Sequence, residues 1–166
     1  MRRSLYEAAS GLMTRFKEAL DHRIKQLDQE FEALAKSDER ARLLRSVPGI
    51  GALSATALAA AVGDVSAFAK GRDFAAWLGL VPRQITTGGK PHLTGISQRG
   101  STYMRVLLIH GARAALPHLA RMDTQLGAWL QALLQRAKRN VVVVALANKL
   151  ARIAWAAMSS NAPMKP

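Results

Sequence analysis

The stretch LLRSVPGIG at residues 43–51, followed by ALSATALAAAVGD at residues 52–64, decides how this chain is organised. A helix is expected to end at Pro48, because proline lacks the backbone N–H that a helix interior needs. The glycines then permit a tight reversal, and an alanine-rich helix is expected to begin directly after Gly51. The stretch therefore predicts two helices joined by a very short turn.

The start of the second of these helices is a candidate anion site. Its first N–H groups have no partner within the helix, and the helix dipole places positive charge at the same end. We expect Gly49, Ile50 and Gly51 to present backbone amides to phosphate, since a glycine has no Cβ to block the approach. The pattern predicts a helix-hairpin-helix, which grips the DNA backbone without reading base sequence. An ordinary turn between two helices is the alternative.

Composition and charge point to a polyanionic partner. The chain has 166 residues, of which 49% are hydrophobic, enough for one domain with a sizeable core. Lys and Arg number 24 against 11 Asp and Glu, and residues 47–166 alone hold fourteen basic and three acidic side chains, a net charge of +11. A field of this sign favours nucleic acid first and an anionic membrane second.

Other classes of protein are excluded or disfavoured. The sequence contains no cysteine, which excludes disulfides, thiolate zinc sites and cysteine nucleophiles. The first residues are charged and unlike a signal peptide. No apolar stretch is expected to span a bilayer, because the best candidate, residues 141–158, is interrupted by Lys149 and Arg152. We therefore expect a soluble, cytoplasmic, nucleoid-associated protein without a membrane partner.

Residues 1–40 are predicted to form one long helix with a hydrophobic seam. The seam residues follow the alternating spacing of four and three that is typical of heptads. A coiled-coil arm that forms a homo-oligomer is one interpretation, and an amphipathic helix packed on its own domain is the other. The seam comprises Leu20, Ile24, Leu27, Phe31 and Leu34, and Leu5, Leu12 and Phe16 continue it upstream after a slip of one position.

Residues 81–100 are expected to form a long Gly/Pro-rich loop without a single carboxylate. Long loops inside compact domains are commonly functional. Cations can offset charge on a phosphodiester while a hydroxyl supplies the nucleophile, whereas this loop alone cannot hold magnesium. A DNA-contacting loop without chemistry is the alternative. The hydroxyls are Thr86, Thr87, Thr94 and Ser97, and the cations are Arg83, Lys90 and Arg99.

Three further helices are expected to complete an all-α domain. Ser101 is a candidate N-cap for the first, which is expected to carry Arg105 on its outer face as a further DNA contact. The second is predicted over residues 119–139, and the third starts at Asn140, where four valines keep helical spacing. Two histidines on the first helix lack a third ligand nearby, so no metal site is predicted.

Several motifs, taken in order, resemble the C-terminal domain of the insertion sequence 110 transposase family, a group of DEDD-type recombinases that includes members guided by a bridge RNA. The resemblance covers residues 43–158, and the preceding helix resembles the coiled-coil linker of that family. It implies a RuvC-like domain with four acidic metal ligands, a serine that attacks DNA, and oligomeric assembly around DNA and a guide RNA. The motifs are VPGIG, FAAWLGLVPRQ, TTGGK, GISQRGSTYMRVLLIHGARA and NVVVVALANKLARIAW.

The sequence departs from this family in two respects. No RuvC-like half with its acidic tetrad is found in the chain, so magnesium is expected only where such a domain is supplied. The family's nucleophilic serine lies just before a glycine, and here that position is Thr87. The resemblance then implies Thr87 as the catalytic nucleophile, with three cations orienting the phosphate, while Ser97 is the nearest other hydroxyl. The three cations are Arg83, Lys90 and Arg99.

These predictions divide the chain into a helical arm at residues 1–40, a helix-hairpin-helix transposase domain at residues 41–160 and a tail at residues 161–166. We expect the DNA-binding part of an insertion-sequence transposase, either truncated or separately encoded, that binds double-stranded DNA and, by the resemblance, a guide RNA. It is expected to be inactive without a RuvC-like domain. The alternative is a non-enzymatic DNA-binding module or a transposase relic.

Overall fold

The computed structural model describes the chain from Arg2 to Asn161, with side chains from Ser10 onward. This range is mostly helical, in outline as predicted, with one small antiparallel sheet. Of the predicted tail, residues 162–166 lie outside the described residues. The elements are α1 (Arg2–Ser37), α2 (Glu39–Arg45), α3 (Ala52–Val62), α4 (Gly71–Trp77), β1 (Pro82–Thr87), β2 (Lys90–Ile96), α5 (Thr102–Leu119), α6 (Gln125–Arg136) and α7 (Arg139–Ser160), with a short 3₁₀ turn at Val65–Ala67.

Asp38 separates the long first helix from the domain. Its Oδ1 accepts a 2.7 Å hydrogen bond from the Ala41 N–H and so caps α2. The end of α1 is fixed to the domain, because Ala35 is fully buried and Glu32 forms an ion pair with Arg45 of α2 at 2.8 Å. The first helix therefore ends at Ser37, whereas the prediction extended it to residue 40.

Most of the seam on α1 is not covered by the chain's own domain. Leu12 and Phe16 are 63% and 64% exposed, and Ile24 is 53% exposed. Leu27 and Phe31 are half-buried, where the helix meets the domain. Packing on its own domain thus covers Leu27 and Phe31 only in part, whereas Leu34 in the last turn is 55% exposed and the seam from Leu12 to Ile24 is open to solvent.

Helix α7 forms the centre of the domain, with α4, α5 and α6 packed around it. Its valine-rich start is helical as predicted, and Val142, Val143 and Leu146 are buried because helical spacing turns them all toward the core. By length and composition, α7 is long and apolar enough to cross a membrane, contrary to expectation. Half of its most apolar stretch is buried inside the domain, as in a core helix of a globular protein.

The helices on either side of residue 120 differ from prediction in their boundaries. Ser101 caps α5 as predicted, since its Oγ accepts a 3.4 Å hydrogen bond from the Met104 N–H. Helix α5 then continues through Leu119, so the next helix cannot begin there. Helix α6 begins instead after Thr124, whose Oγ1 accepts a 3.1 Å hydrogen bond from the Gly127 N–H.

A β-hairpin stands where a long irregular loop was predicted. Strands β1 and β2 pair antiparallel, and the two residues between them, Gly88 and Gly89, both have positive φ. A two-residue hairpin turn of this kind needs that conformation, and glycine adopts it without strain. The prolines mislead sequence interpretation here, because both strands of a two-stranded sheet are edges, where a missing N–H is tolerated. The loop prediction is therefore wrong, and with it the strictly all-α fold class.

Candidate nucleic-acid interface

The hairpin stands clear of the domain core. Every residue from Pro82 to Gly95 is exposed, and only Ile96, at its base, is half-buried. The two chain ends meet at that base, where Pro82 pairs with Ile96. The hairpin is therefore available for contact along its whole length.

One face of the hairpin carries Thr87 together with cationic side chains. Thr87 pairs with Lys90 across the turn, and Ile85 pairs with His92. Side chains alternate between the two faces of a strand, so Arg83, Ile85 and Thr87 lie on the same face of β1. The register thus gathers Thr87, Lys90 and His92 on one side, which we call the cationic face. Arg83 extends this face toward the base by strand alternation, next to an irregularity in register between Pro82 and Gln84.

The cationic face contains elements of phosphoryl chemistry but not all of them. Thr87 provides an exposed hydroxyl, and Arg83 and Lys90 provide positive charge without a neighbouring carboxylate. His92 was not singled out by sequence analysis, although alternation about the Gly88–Gly89 turn would have placed it here. It lies diagonally across from Thr87, a spacing that a long or aromatic side chain can bridge.

A magnesium site does not fit the residues of this chain that the structure describes. In that part of the chain, no group of three or more His, Asp or Glu side chains lies close enough together to hold a metal ion. Oxygen-rich carboxylate clusters are what magnesium requires. On the cationic face, the groups that can act on a phosphodiester are the Thr87 hydroxyl and the neighbouring cations.

Arg99 and Ser97 are not brought to Thr87. The seven residues of β2 span about 20 Å, so the hairpin separates its base from its tip by that distance. Arg99 lies beyond the base, where its backbone packs against Gly79 at the end of α4. The Ser97 N–H donates to the Val81 carbonyl at 2.8 Å, and the Ser97 Oγ is buried without a hydrogen-bond partner in the described structure. Arg99 therefore cannot orient phosphate at Thr87.

Arg105 is buried, and the prediction that it lies on an outer face is wrong. Its side chain is 7% exposed, and its guanidinium donates to the Leu78 carbonyl at 3.3 Å and to Thr102 Oγ1 at 3.1 Å. The carbonyl is one of those left unpaired at the end of α4, which a guanidinium is well suited to bind. Arg105 joins α4 to α5 and is not available to DNA.

The corner between α2 and α3 has the predicted short turn, but only part of it faces solvent. Ile50 is 4% exposed, and its N–H donates to the Val47 carbonyl at 3.0 Å, so this amide is already used. Gly49 has a φ of +85°, and a Cβ there would lie 2.8 Å from the carbonyl oxygen of Gly111 in α5. Both residues therefore serve packing within the corner.

Gly51 keeps the geometry expected of an anion site. It is exposed, and a Cβ placed on it would meet no atom within 4 Å. As the N-cap of α3 it has no side chain to bond the first N–H groups of the helix, and the structure shows no backbone partner for the Ala52 and Leu53 amides. Positive helix-end charge thus faces open space at this corner.

Comparison with known proteins places this basic, mostly helical domain among transposases. The model of the Transposase IS116/IS110/IS902 family matches residues 41–126. A protein of Pseudomonas aeruginosa named a probable family 20 transposase is 51% identical over 149 residues, which are 90% of this chain and 44% of that protein. The chain therefore belongs to the IS116/IS110/IS902 transposase family.

Other relatives show what share of their length this chain covers. The transposase for insertion sequence element IS1111A of Coxiella burnetii is 41% identical over 165 residues, covering 93% of this chain and 45% of that protein. A pilin gene-inverting protein of Moraxella bovis is 29% identical over 152 residues, covering 87% and 44%. The chain spans less than half the length of these curated relatives.

Proposed function

We propose that this chain is the part of an insertion-sequence transposase that binds double-stranded DNA and presents Thr87, at the tip of a β-hairpin, to a phosphodiester. The observation that carries the proposal is the register of the hairpin, which pairs Thr87 with Lys90 and places His92 on the same exposed face, with Arg83 nearer the base of β1. A hydroxyl surrounded by cations and free of carboxylates suits a negatively charged phosphorus centre.

In the proposed reaction, the Thr87 hydroxyl oxygen forms a bond to phosphorus and one ester bond of the DNA strand breaks. The hydroxyl proton passes to a base, and the departing DNA oxygen takes up a proton. Arg83 and Lys90 offset the charge on the non-bridging oxygens. The chain alone is inactive in this scheme, because no carboxylate accompanies Thr87 to hold magnesium or to take its proton.

The corner between α2 and α3 is the proposed duplex-binding element, a helix-hairpin-helix in function. Gly51 lets the DNA backbone approach the free amides at the start of α3. Such contacts to phosphate hold the duplex without reading its sequence. A guide RNA would bind through the same kind of phosphate contact, so RNA is tested beside DNA.

Self-association through α1 is the proposed means of assembly. A row of Leu, Phe and Ile on residues 12–24 is exposed, and such a seam is typically covered by a second helix. Binding to chromosomal DNA would place the assembly in the cytoplasm, at the nucleoid.

The test of the proposed chemistry is to trap a covalent protein–DNA adduct and locate it by mass spectrometry. The chain is combined with a RuvC-like domain of a family relative, and wild type is compared with Thr87→Ala and Thr87→Ser. We expect an adduct at residue 87 in wild type, none in Thr87→Ala and more in Thr87→Ser, because the threonine methyl group crowds the attack. An adduct that persists in Thr87→Ala would overturn the assignment and leave a DNA-binding module.

A further inference from the structure

A cavity of about 710 Å³ lies between the base of the hairpin and one face of α7. Its lining from α7 runs from Asn140 to Arg152, about 18 Å along the helix. Trp129 of α6 forms part of the opposite wall, and Gly95 and Gln98 border it at the base of the hairpin. This volume is typical of small-molecule and cofactor sites and exceeds the size of a single nucleotide.

The polar groups in this cavity match a nucleotide. Trp129 is half-buried and the Lys149 ammonium lies 5.1 Å from its ring centroid. Arg152 and Asn140 are exposed at the lining, and the Asn148 side chain donates to the Leu80 carbonyl at 3.1 Å, leaving its own carbonyl to accept. No carboxylate lines the cavity.

The positive charge continues onto the other side of α7. Lys149 and Arg152 also line a second groove, together with Lys70 and Arg72 at the start of α4. Asp73 is the one carboxylate among the lining residues of that groove. Lys149 and Arg152 line both cavities, so a phosphate bound between them would meet these two cations.

We infer that this cavity binds an unpaired nucleotide of a nucleic-acid strand, with its base stacked on Trp129 and its phosphate at Lys149 and Arg152. The inference deepens the proposed function and rests on it. Stacking of a base on an aromatic ring is generally stronger than an exposed contact between an ammonium and that ring. An incoming base therefore displaces Lys149 from Trp129, and the ammonium is then free to bind the phosphate.

Charge and location favour this occupant over an apolar partner. A protein helix would require only an apolar wall, whereas two cations and three amide side chains line this cavity. The cavity opens beside the hairpin that carries Thr87, so a strand with one base in the cavity can continue along the cationic face. An unpaired base is what strand exchange creates, because strands must leave one duplex before they join another.

The experiment uses the full chain and short strands that contain 2-aminopurine, whose fluorescence falls when it stacks on tryptophan. The probe is unpaired in one DNA strand, paired in a matched duplex, and unpaired in an RNA strand. We expect the unpaired probes to be quenched by wild type and not by Trp129→Leu, with binding of the unpaired strand weakened at least about fivefold. The DNA and RNA arms identify which strand the cavity prefers.

Lys149→Gln provides a second variant that keeps the ring and the fold, and Lys36→Gln on α1 is its matched control. We expect Lys149→Gln to weaken binding of the unpaired strand several-fold and Lys36→Gln to leave it unchanged. Equal quenching of paired and unpaired probes, or full quenching by Trp129→Leu, would overturn the inference. If Trp129→Leu changed the oligomeric state but still quenched the probe, the cavity would instead be an interface with a second copy of the chain. Wild-type binding of duplex without any quenching refutes this inference alone, whereas loss of duplex binding refutes the proposed function.

Discussion

Gly49 and Gly51 lie two positions apart and differ completely in what a side chain would meet. At Gly49 a Cβ would approach the Gly111 carbonyl oxygen to 2.8 Å with φ at +85°, whereas at Gly51 it would meet nothing within 4 Å. Gly51 is extended, with φ at −81° and ψ at −179°, a conformation that any residue adopts. The same glycine-rich turn thus contains one residue required by packing and one that leaves space for a ligand.

This contrast gives a pair of variants with separable effects. We expect Gly51→Val to weaken duplex DNA binding at least tenfold, because its branched side chain occupies the space in front of the α3 amides, while stability falls by about 1 kcal/mol or less. Gly49→Ala is expected to lower the free energy of unfolding by about 2 kcal/mol, since strain and close contact add. Fluorescence anisotropy with labelled duplex and chemical denaturation measure the two quantities. Unchanged affinity in Gly51→Val would remove the anion site from the proposal.

For single residues, the sequence indicates which residue types could contact DNA better than it indicates where their side chains lie in the fold. The Thr87 position follows from a motif, and the Gly51 turn from a proline and two glycines. The burial of Arg105 could not be foreseen, because it depends on the free Leu78 carbonyl at the end of α4, 27 residues away. His92 was foreseeable only by assuming a hairpin, from which the alternation of faces follows.

Among the elements, α1 leaves a row of hydrophobic side chains exposed and is therefore expected to bind a partner helix. We expect Ile24→Asp to convert an oligomer to a monomer, because a carboxylate in a helix–helix seam is desolvated without a partner. Gln26→Asp adds the same charge off the seam and is expected to leave the oligomer intact. Sedimentation velocity at micromolar concentration gives the result. A wild-type chain that is monomeric at high micromolar concentration would show that the seam is not an oligomer interface.

The hairpin can be removed without loss of the core. Pro82 pairs with Ile96 at its base, so a Gly-Gly link in place of residues 83–95 closes the chain. We expect the shortened chain to keep its midpoint of thermal unfolding within about 3 °C, because none of the removed side chains is buried. Circular dichroism measures the midpoint, and adduct formation is expected to be lost. A large fall in the midpoint would mean that the hairpin supports the domain.

Elements with clear periodicity were predicted well, and the hairpin was not. Helical spacing identified α7 in spite of its valines, since Val143, Leu146 and Leu150 fall on one buried face. In the hairpin, glycine and proline suggested a loop, although a short turn and edge strands accept both residue types. The boundary between α5 and α6 was misplaced, because the sequence suggested that the second helix begins at Leu119, whereas it begins after Thr124. Packing decides between these two starting points.

For the whole molecule, the charge distribution predicts how DNA binding depends on salt. Residues 47–166 carry a net charge of +11, and phosphate contacts release counterions from DNA. We expect the logarithm of the association constant to fall linearly with the logarithm of salt concentration, with a slope of about −0.9 per phosphate contacted. Arg83→Gln and Lys90→Gln together should make the slope less negative by about 2. A slope near zero would exclude backbone contacts as the basis of binding.

At this scale the sequence predicts a division between a first segment of nearly balanced charge and a strongly basic remainder. It could not predict the cavity beside α7, whose walls come from α6, α7 and the base of the hairpin. No local pattern records which side chains from three separate elements will face each other. Periodicity in the sequence predicts helices and strands, whereas a cavity depends on how those elements pack together.

The length of α1 sets how far apart two paired copies can hold their domains. At 1.5 Å per residue, its 36 residues extend about 54 Å, close to the length of 16 base pairs of duplex DNA. If two copies pair antiparallel along the seam, their domains stand at opposite ends of this rod, and if they pair parallel, the domains stand side by side. The direction of pairing would thus set the distance between the two hairpins. It would decide whether they reach neighbouring phosphodiesters or phosphodiesters more than a helical turn apart.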